Sequence, residues 1–378
     1  MPGPEKRPFA CLVNLKLEMI GLIIFIFILS LLIIVHEFGH FIAARRNGVR
    51  VENFSLGFGP QIFKKKKHGT EYSLSLFPLG GYVKMAGDSQ LEYQGKDDEY
   101  LSKSIGRRFQ IIFFGPFLNY ILGFLFFWCI FFVGYPSLTN KIGGLIDGYG
   151  AKEAGLAIGD KIISVDGKKV DLWEELQLQI QKRKVKESVE LEVVRDNQEL
   201  KFKVLIKDKV VGDILGAKRS LGIIGISPFD ETVEVRHGFF ESAYLGFKKT
   251  IDLTILTYRG LWRLVSGKMS MRDSMAGPLE IFFITSKTAK LGIVAVMHLI
   301  ALLSVSLAIF NLLPLPILDG GHIFFLGLEK LRKKALGIKA ERVINNLGFT
   351  LMITIALLVT YNDIVRNYGE KISKFIAR

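Results

Sequence analysis

The stretch Val35-His36-Glu37-Phe38-Gly39-His40-Phe41 lies inside the first long apolar segment of this 378-residue chain. Ionisable side chains inside a membrane-spanning helix are unfavourable, at about 2.5–3.5 kcal/mol for a full charge at the bilayer centre, so they are expected to have a compensating partner. Histidines four residues apart lie on one face of a helix and can bind the same ion. The stretch therefore predicts a zinc site within a membrane helix.

A zinc ion beside this motif predicts peptide hydrolysis. Zinc lowers the pKa of a bound water molecule from about 15.7 to about 7, and the neighbouring Glu37 is placed to accept the proton as a general base. The alternative interpretation of the motif is structural, with His36 and His40 as polar residues that hydrogen-bond to neighbouring helices.

Long apolar blocks indicate a polytopic α-helical membrane protein. Hydrophobic residues make up 49% of the chain, and four stretches reach or approach the roughly 20 apolar residues that a bilayer requires. A cleaved signal peptide is the alternative for the first stretch, but its length and its continuation into the histidine motif favour an uncleaved helix. The four predicted spans are residues 18–44, 109–134, 291–318 and 347–361.

The charge distribution predicts how the chain crosses the membrane. The formal charge of +14 comes from Lys and Arg residues that concentrate beside the apolar stretches, which favours lipid headgroups as partners and argues against nucleic acid. Residues 45–108 contain twelve Lys and Arg against three before the first stretch, so this connector is predicted to be cytoplasmic. Residues 135–290 would then lie outside the cytoplasm.

The cytoplasmic connector also has a strand pattern. Residues 51–60 and 71–76 alternate polar with apolar side chains around the run Lys64-Lys65-Lys66-Lys67, which predicts a β-hairpin associated with the membrane helices. Its open edge can pair with an extended substrate segment. The alternative is a hairpin that only plugs the space between the helices.

Residues 142–228 are predicted to form one extracytoplasmic PDZ-like, β-rich domain. This prediction rests on three patterns: strands flanked by glycines, an amphipathic helix that begins at Trp173, and apolar residues that alternate on both sides of Arg195-Asp196-Asn197. A strand at residues 222–226 and the helix would frame a peptide groove. A small β-rich spacer is the alternative. Residues 238–268 then predict an amphipathic helix on the membrane surface, with a fifth span as the alternative.

Two histidines leave a catalytic zinc site incomplete, because such sites have three protein ligands and an open position. The third apolar stretch ends in Asn311-Leu312-Leu313-Pro314-Leu315-Pro316-Ile317-Leu318-Asp319-Gly320-Gly321-His322. Its prolines break the helix, and irregular backbone at membrane depth occurs only where it lines protein or a cavity. Asp319 at that break is the predicted third ligand.

These features together resemble the site-2 protease family of intramembrane zinc metalloproteases, and within it the bacterial sigma-E regulator type. The resemblance covers residues 20–363. It is carried by the histidine motif, the Asp-Gly-Gly segment, the single PDZ-like domain and the stretch Gly115-Pro116-Phe117-Leu118-Asn119.

The resemblance implies a protease of the bacterial cytoplasmic (inner) membrane that acts in regulated intramembrane proteolysis. Its expected substrates are single-span membrane proteins, such as a trimmed anti-sigma factor or a remnant signal peptide. The family roles map onto His36, His40 and Asp319 as Zn2+ ligands, onto Glu37 as catalytic general base, and onto Asn311 as a substrate-positioning residue. Membrane lipids and a peptide ligand of the PDZ-like domain are the other expected partners.

One feature departs from the family pattern. Sigma-E proteases of enteric bacteria carry two PDZ domains in tandem, whereas this chain has room for one. A gate that uses a pair of PDZ domains to exclude bulky, uncut ectodomains is therefore not expected here. The assignment to a sigma-E pathway loses support for the same reason.

Two other classes of function are compatible with parts of the pattern. A non-catalytic membrane scaffold would use the PDZ-like domain to bind exported peptides, with any metal only holding helices together. A transporter is a further alternative, although no inverted repeat is visible in the sequence.

The sequence predicts the following order of segments along the chain. They are an N-terminal tail with the first span and zinc motif (1–44), a cytoplasmic connector with the hairpin (45–108), the second span (109–134), the PDZ-like domain (142–228), an amphipathic helical region (229–290), the third span (291–318), a cytoplasmic loop (319–346), the fourth span (347–365) and a C-terminal tail (366–378).

Overall fold

A computed structural model describes residues 7–212, 218–270, 276–334 and 337–376. The chain divides into two compact units. The helical unit consists of Met1–Ile130, Ala243–Arg259 and Met271–Arg378, and the β-rich unit consists of Phe131–Ser242 and Gly260–Ser270.

Helices occupy both ends of the chain, and strands fill two regions between them. The helices are α1 (Arg7–Arg46), α2 (Ile105–Val133), α3 (Gly150–Glu153), α4 (Trp173–Gln181), α5 (Phe239–Val265), α6 (Pro278–Ala289), α7 (Ile293–Asn311), α8 (Asp319–Arg332) and α9 (Ile338–Ile376). The strands are β1 (Val51–Lys67), β2 (Thr70–Met85), β3 (Tyr135–Leu138), β4 (Ile142–Leu145), β5 (Lys161–Val165), β6 (Lys168–Lys169), β7 (Ser188–Arg195), β8 (Gln198–Leu205), β9 (Lys207–Gly212), β10 (Lys218–Ile223), β11 (Ile226–Pro228) and β12 (Thr232–Val235).

Four helices among the described residues are long and apolar enough to cross a membrane, which confirms the predicted number of spans. α7 ends at Asn311, seven residues before the predicted end of the third span, because Pro314 and Pro316 cannot continue a helix. The fourth helix is longer than its apolar core. The four segments are Met19–Arg46, Ile105–Val133, Ile293–Asn311 and Arg342–Tyr368.

The spans pack through apolar side chains and small residues. Ile28 and Leu32 of α1 are buried against Leu299 and Ile300 of α7. α1 also approaches α6 so closely that a Cβ atom at Gly21 would lie 2.2 Å from the Ser286 hydroxyl. Close helix contact through small residues is typical of membrane proteins, where van der Waals packing drives association.

α5 has two different faces along its length. Phe240, Tyr244 and Phe247 are exposed, whereas Thr250 is buried and its hydroxyl donates to the carbonyl of Gly246. A Cβ atom at Gly246 would lie 2.8 Å from the backbone nitrogen of Trp128, so α5 lies directly against α2 there. The helix has the amphipathic character expected from the sequence, and it is not among the four candidate spans of the described residues.

β1 and β2 form a curled sheet instead of a simple hairpin. Residues 53–56 pair with residues 71–74 on one side and with residues 81–84 on the other. His68 and Gly69 make the turn with positive φ values of 49° and 82°. β2 is continuous through Pro78, Gly80 and Gly81, and the pairing of β1 with β2 contains several register irregularities. Residues 81–85 thereby lie along α1.

The β-rich unit is built around a four-stranded sheet in the order β6-β5-β7-β8, with further pairs β3–β12, β4–β11 and β9–β10. α4 covers the core with Trp173, Leu176 and Ile180. Beside the core, Asp160 accepts two hydrogen bonds of 2.7 Å from Arg195. Burial raises the pKa of the Asp160 carboxyl, but the hydrogen bonds from Arg195 and from the backbone N–H of Ala157, together with the charge of Arg195, outweigh it, so this pKa lies below its ordinary value.

Candidate metal centre

His36 and His40 lie one helical turn apart on the buried face of α1. The two residues are only 9% and 8% exposed, and their Nε2 atoms are 3.2 Å apart. Two imidazoles at this spacing direct both ring nitrogens to one point, as the four-residue interval predicted.

A backbone carbonyl of α2 sets the tautomer of His40. The Nδ1 atom of His40 lies 2.9 Å from the carbonyl oxygen of Ile111. A carbonyl can only accept, so Nδ1 donates its proton and the neutral ring presents its lone pair at Nε2. This arrangement is the one by which proteins orient histidine ligands of a metal.

Asp319 brings a carboxylate to the same point. Its Oδ2 atom lies 3.1 Å from Nε2 of His36, and its Oδ1 atom lies 3.5 Å from Nε2 of His40. One ligand atom from each of the three residues lies within 4.8 Å of the others. The structure therefore brings together two predicted ligands from α1 and a third from a position far away in the sequence.

The broken segment before α8 places this carboxylate. Ile317 has a φ of 79°, a left-handed conformation that is strained for a β-branched residue. A Cβ atom at Gly320 would lie 2.3 Å from the backbone of Leu312, and one at Gly321 would lie 2.1 Å from the carbonyl oxygen of Leu315. Two glycines are thus required for α8 to begin directly against the segment that precedes it.

The donor set fits a zinc ion. Oδ2 of Asp319 is buried and makes no hydrogen bond among the described residues, although Nε2 of His36 lies 3.1 Å away. Two imidazole nitrogens and a carboxylate oxygen facing one another repel unless a cation lies among them. Zinc takes three protein ligands of these types in catalytic sites and keeps a position open.

The three residues line a cavity of about 510 Å³ in the helical unit. Glu37 and Asn311, both predicted as site residues, line the same cavity. Gly81 of β2 is so close that a Cβ atom there would lie 3.2 Å from Cγ of Glu37. The structure therefore gathers every predicted site residue around one space that also borders the sheet.

Other lining residues carried no recognisable signal in the sequence. His322, one turn into α8, is a partial exception: it lines the cavity, and its position directly after Asp319-Gly320-Gly321 was a weak sequence signal for a place near the site. Another histidine of an apolar helix, His298, does not line this cavity; its ring packs against that of Phe127, with centroids 5.3 Å apart. The lining residues that sequence reasoning missed are Tyr82, Val83, Met85, Asp88, Tyr100, Ile112, Ile317 and Leu318.

Two glycines allow α1 and α2 to cross at the site. A Cβ atom at Gly39 would lie 2.2 Å from the carbonyl oxygen of Phe114, and one at Gly115 would lie 2.3 Å from Nε2 of His40. A larger residue at either position would displace a helix or a ring. The crossing thus brings the Ile111 carbonyl within reach of His40.

The model of peptidase family M50 matches residues 24–355, a range that includes both histidines and Asp319. The chain belongs to this family. This M50 peptidase is 32% identical to a Campylobacter jejuni protein that is provisionally named a zinc metalloprotease. The alignment covers 95% of this chain and 97% of that protein.

Two further relatives have more specific names. The chain is 29% identical to the regulator of sigma-W protease RasP of Bacillus subtilis, with 91% of this chain and 98% of that protein covered. It is also 29% identical to the regulator of sigma-E protease RseP of Escherichia coli, with 90% and 98% covered. The second alignment runs over 440 residues, more than this chain contains, so part of that relative has no counterpart here.

Solved structures resemble part of the chain, and one of them serves as an example. It is the PDZ domain of an SdrC-like protein from Listeria monocytogenes, which is 21% identical and covers 25% of this chain and 90% of that domain, at a TM-score of 0.20. That score is too low to carry an argument. The family assignment and the names of the relatives confirm the prediction that this protein is a zinc metalloprotease.

Replacing Gly115 by Ala is expected to impair the metal centre. The new methyl group would collide with the His40 ring, so we expect Gly115→Ala to lower zinc affinity by about 10- to 100-fold, the range seen when a ligand's supporting contacts are disturbed. Zinc bound per protein in a chelator titration measures this. Gly106→Ala, on the same helix with nothing within 4 Å, is the control. Full zinc affinity in Gly115→Ala would contradict the assigned helix crossing.

Proposed function

We propose that this M50 peptidase cleaves single-span membrane proteins within the bilayer, with His36, His40 and Asp319 as zinc ligands. The observation that carries the proposal is the convergence of three potential ligand atoms within 4.8 Å, two of them on a helix able to cross a membrane. The names of two relatives refer to sigma-factor regulation. They favour proteins that control sigma factors as the substrate class, with remnant signal peptides as the second class that the sequence resemblance implies.

Glu37 is the proposed catalytic base. A bound zinc ion supplies Lewis acidity that polarises the scissile carbonyl and makes water nucleophilic near neutral pH. The carboxylate of Glu37, on the same helix as both imidazoles, takes the proton of the attacking water and delivers it to the leaving amine nitrogen. Asn311, at the end of α7, borders the same cavity, where its amide can donate a hydrogen bond to a substrate carbonyl.

The edge of the β1–β2 sheet supports a binding mode for the substrate. Tyr82, Val83 and Met85 line the cavity, and residues 81–84 pair with β1 on one side. An extended peptide can add to such an edge through main-chain hydrogen bonds. A substrate helix must unwind before it can do so, since its carbonyls are already paired, and helix-breaking residues near the cut therefore favour cleavage.

Glu37→Gln is expected to separate metal binding from catalysis. The amide cannot accept the proton, so we expect cleavage of a purified single-span substrate to fall by about 100- to 10,000-fold. Zinc content should stay at the wild-type level, because Glu37 is not among the three grouped ligand residues. Asp319→Ala should lose zinc and cleavage together.

The rival function is a membrane scaffold without catalysis. A scaffold predicts that the zinc-loaded wild-type protein cleaves no single-span substrate in detergent or liposomes. Unchanged cleavage in Glu37→Gln would remove the proposed base, and full zinc in Asp319→Ala would remove the third ligand. The two variants thus test different parts of the proposal.

We propose that the protein lies in the bacterial cytoplasmic membrane with residues 45–108 inside and the β-rich unit outside. The support is the twelve Lys and Arg residues of the connector. Single cysteines can test this in a variant that lacks Cys11 and Cys129. An impermeant maleimide should label Asn197→Cys in intact spheroplasts and Lys66→Cys only after lysis, and the opposite pattern would reverse the topology.

A groove in the β-rich unit is the proposed binding site for an extracytoplasmic peptide. It has a volume of about 260 Å³ and lies between α4 and residues 221–226, where the sequence predicted one. Its walls are mostly apolar, with Lys209 at the lining, which favours an apolar peptide carrying a free carboxylate.

Leu221→Glu should weaken this peptide binding. A carboxylate in the groove would repel the peptide's carboxylate and leave apolar contacts unmade, so we expect at least about tenfold weaker binding, or 1.4 kcal/mol. Fluorescence titration of the full chain with peptides that end in apolar residues measures it. Leu178→Glu, on the exposed side of α4, is the control. Equal affinity in both variants would contradict the groove assignment.

A further inference from the structure

A second, largely buried ionic contact in the helical unit joins two helices that carry parts of the metal centre. Arg108 near the start of α2 makes a two-pronged salt bridge to Glu329 in α8, with Nη1 3.1 Å from Oε2 and Nη2 hydrogen-bonded to Oε1. The Nε atom of Arg108 donates to the carbonyl of Lys103 at 3.2 Å. The two charged side chains are only 9% and 20% exposed.

The geometry of this pair favours one fixed arrangement of the two helices. A planar guanidinium that binds both carboxylate oxygens restricts the orientation as well as the distance of its partner. A buried pair is also strongly destabilised when one partner is removed, because the other charge stays without compensation. The contact is therefore suited to holding α8 against α2 in a single position.

The same two helices carry parts of the metal centre. α2 supplies the Ile111 carbonyl that orients His40, one helical turn after Arg108. α8 begins with Asp319, about 15 Å of helix before Glu329 at 1.5 Å per residue. A tilt or slide of α8 relative to α2 would therefore move the Asp319 carboxylate relative to the two imidazoles.

The salt bridge is near the reaction space but outside it. Arg108 and Glu329 line a smaller cavity of about 120 Å³, which shares Asp88, Tyr100, Ile112 and His322 with the cavity at the metal centre. Neither charged residue lines the larger cavity. The pair therefore does not line the reaction space itself, and α2 and α8 connect it to the metal centre.

We propose that Arg108 and Glu329 are positioning residues that hold Asp319 at metal-binding distance from His36 and His40. The pair locks the helix that begins with the carboxylate to the helix that orients His40. The proposal rests on the ligand assignment under the proposed function. Removal of the pair should loosen the third ligand and leave the substrate-binding surface unchanged.

The test measures zinc affinity of the full-length protein in detergent by competition with a chelator. We expect Glu329→Gln to weaken zinc binding by about 10- to 100-fold, the range found when residues that support metal ligands are replaced. Glu329→Asp, which keeps the charge, should lose less. Asp98→Asn, which removes the exposed Arg50–Asp98 pair, is the control and should match the wild type.

Kinetics and stability distinguish positioning from a role in packing alone. For a single-span substrate, Glu329→Gln at limiting zinc should lower kcat and leave KM unchanged. A packing role predicts instead a lower unfolding temperature of the metal-free protein with zinc affinity unchanged. Zinc affinity in Glu329→Gln within about twofold of wild type would therefore overturn the proposal.

Two further outcomes remain informative. If Glu329→Gln does not yield monodisperse protein, Glu329→Asp decides, and wild-type zinc affinity in that variant overturns the proposal. If the wild type binds zinc and cleaves nothing, the proposed function fails, while the zinc affinities of the Glu329 variants still test the positioning role.

Discussion

The crowding of three metal-binding groups inside a helical membrane unit is the constraint on which the rest of this structure depends. Two imidazole nitrogens and a carboxylate oxygen lie within 4.8 Å of one another, and such an arrangement is unfavourable in a medium of low dielectric unless a proton or a metal cation lies among them. The fold therefore has to bring the groups together, aim them and prevent them from separating. Glycines allow the close approach, the Ile111 carbonyl orients His40, and the Arg108–Glu329 salt bridge is proposed to hold α8 in place.

The groups meet because small residues allow close backbone contact. Gly39 and Gly115 let α1 cross α2 where a methyl group would collide with a carbonyl or with the His40 ring. Gly320 and Gly321 let α8 fold directly against the segment that Pro314 and Pro316 keep out of a helix. The orientation of the His40 ring also depends on a backbone atom, because Nδ1 of His40 donates to the Ile111 carbonyl.

The accuracy of the sequence predictions follows from the range of the interactions involved. The four spans and the histidine motif depend on residues within one or two helical turns, so periodicity and apolar runs were sufficient. The end of α7 was misplaced because hydropathy continues through the prolines while the helix does not. The curled β1–β2 sheet was only partly predicted, since the pairing of residues 53–56 on both sides depends on long-range register.

The amino-acid sequence alone was enough to propose the chemistry, because His36, Glu37, His40 and Asp319 are the residue types that zinc-dependent hydrolysis requires. It also determined that these groups lie in or beside apolar helices. The folded structure was needed to show that Asp319 reaches the histidines, that the Ile111 carbonyl orients one of them, and that Arg108 meets Glu329. Those contacts join residues 71 to 283 positions apart, and no local pattern encodes a distance between separate helices before they pack.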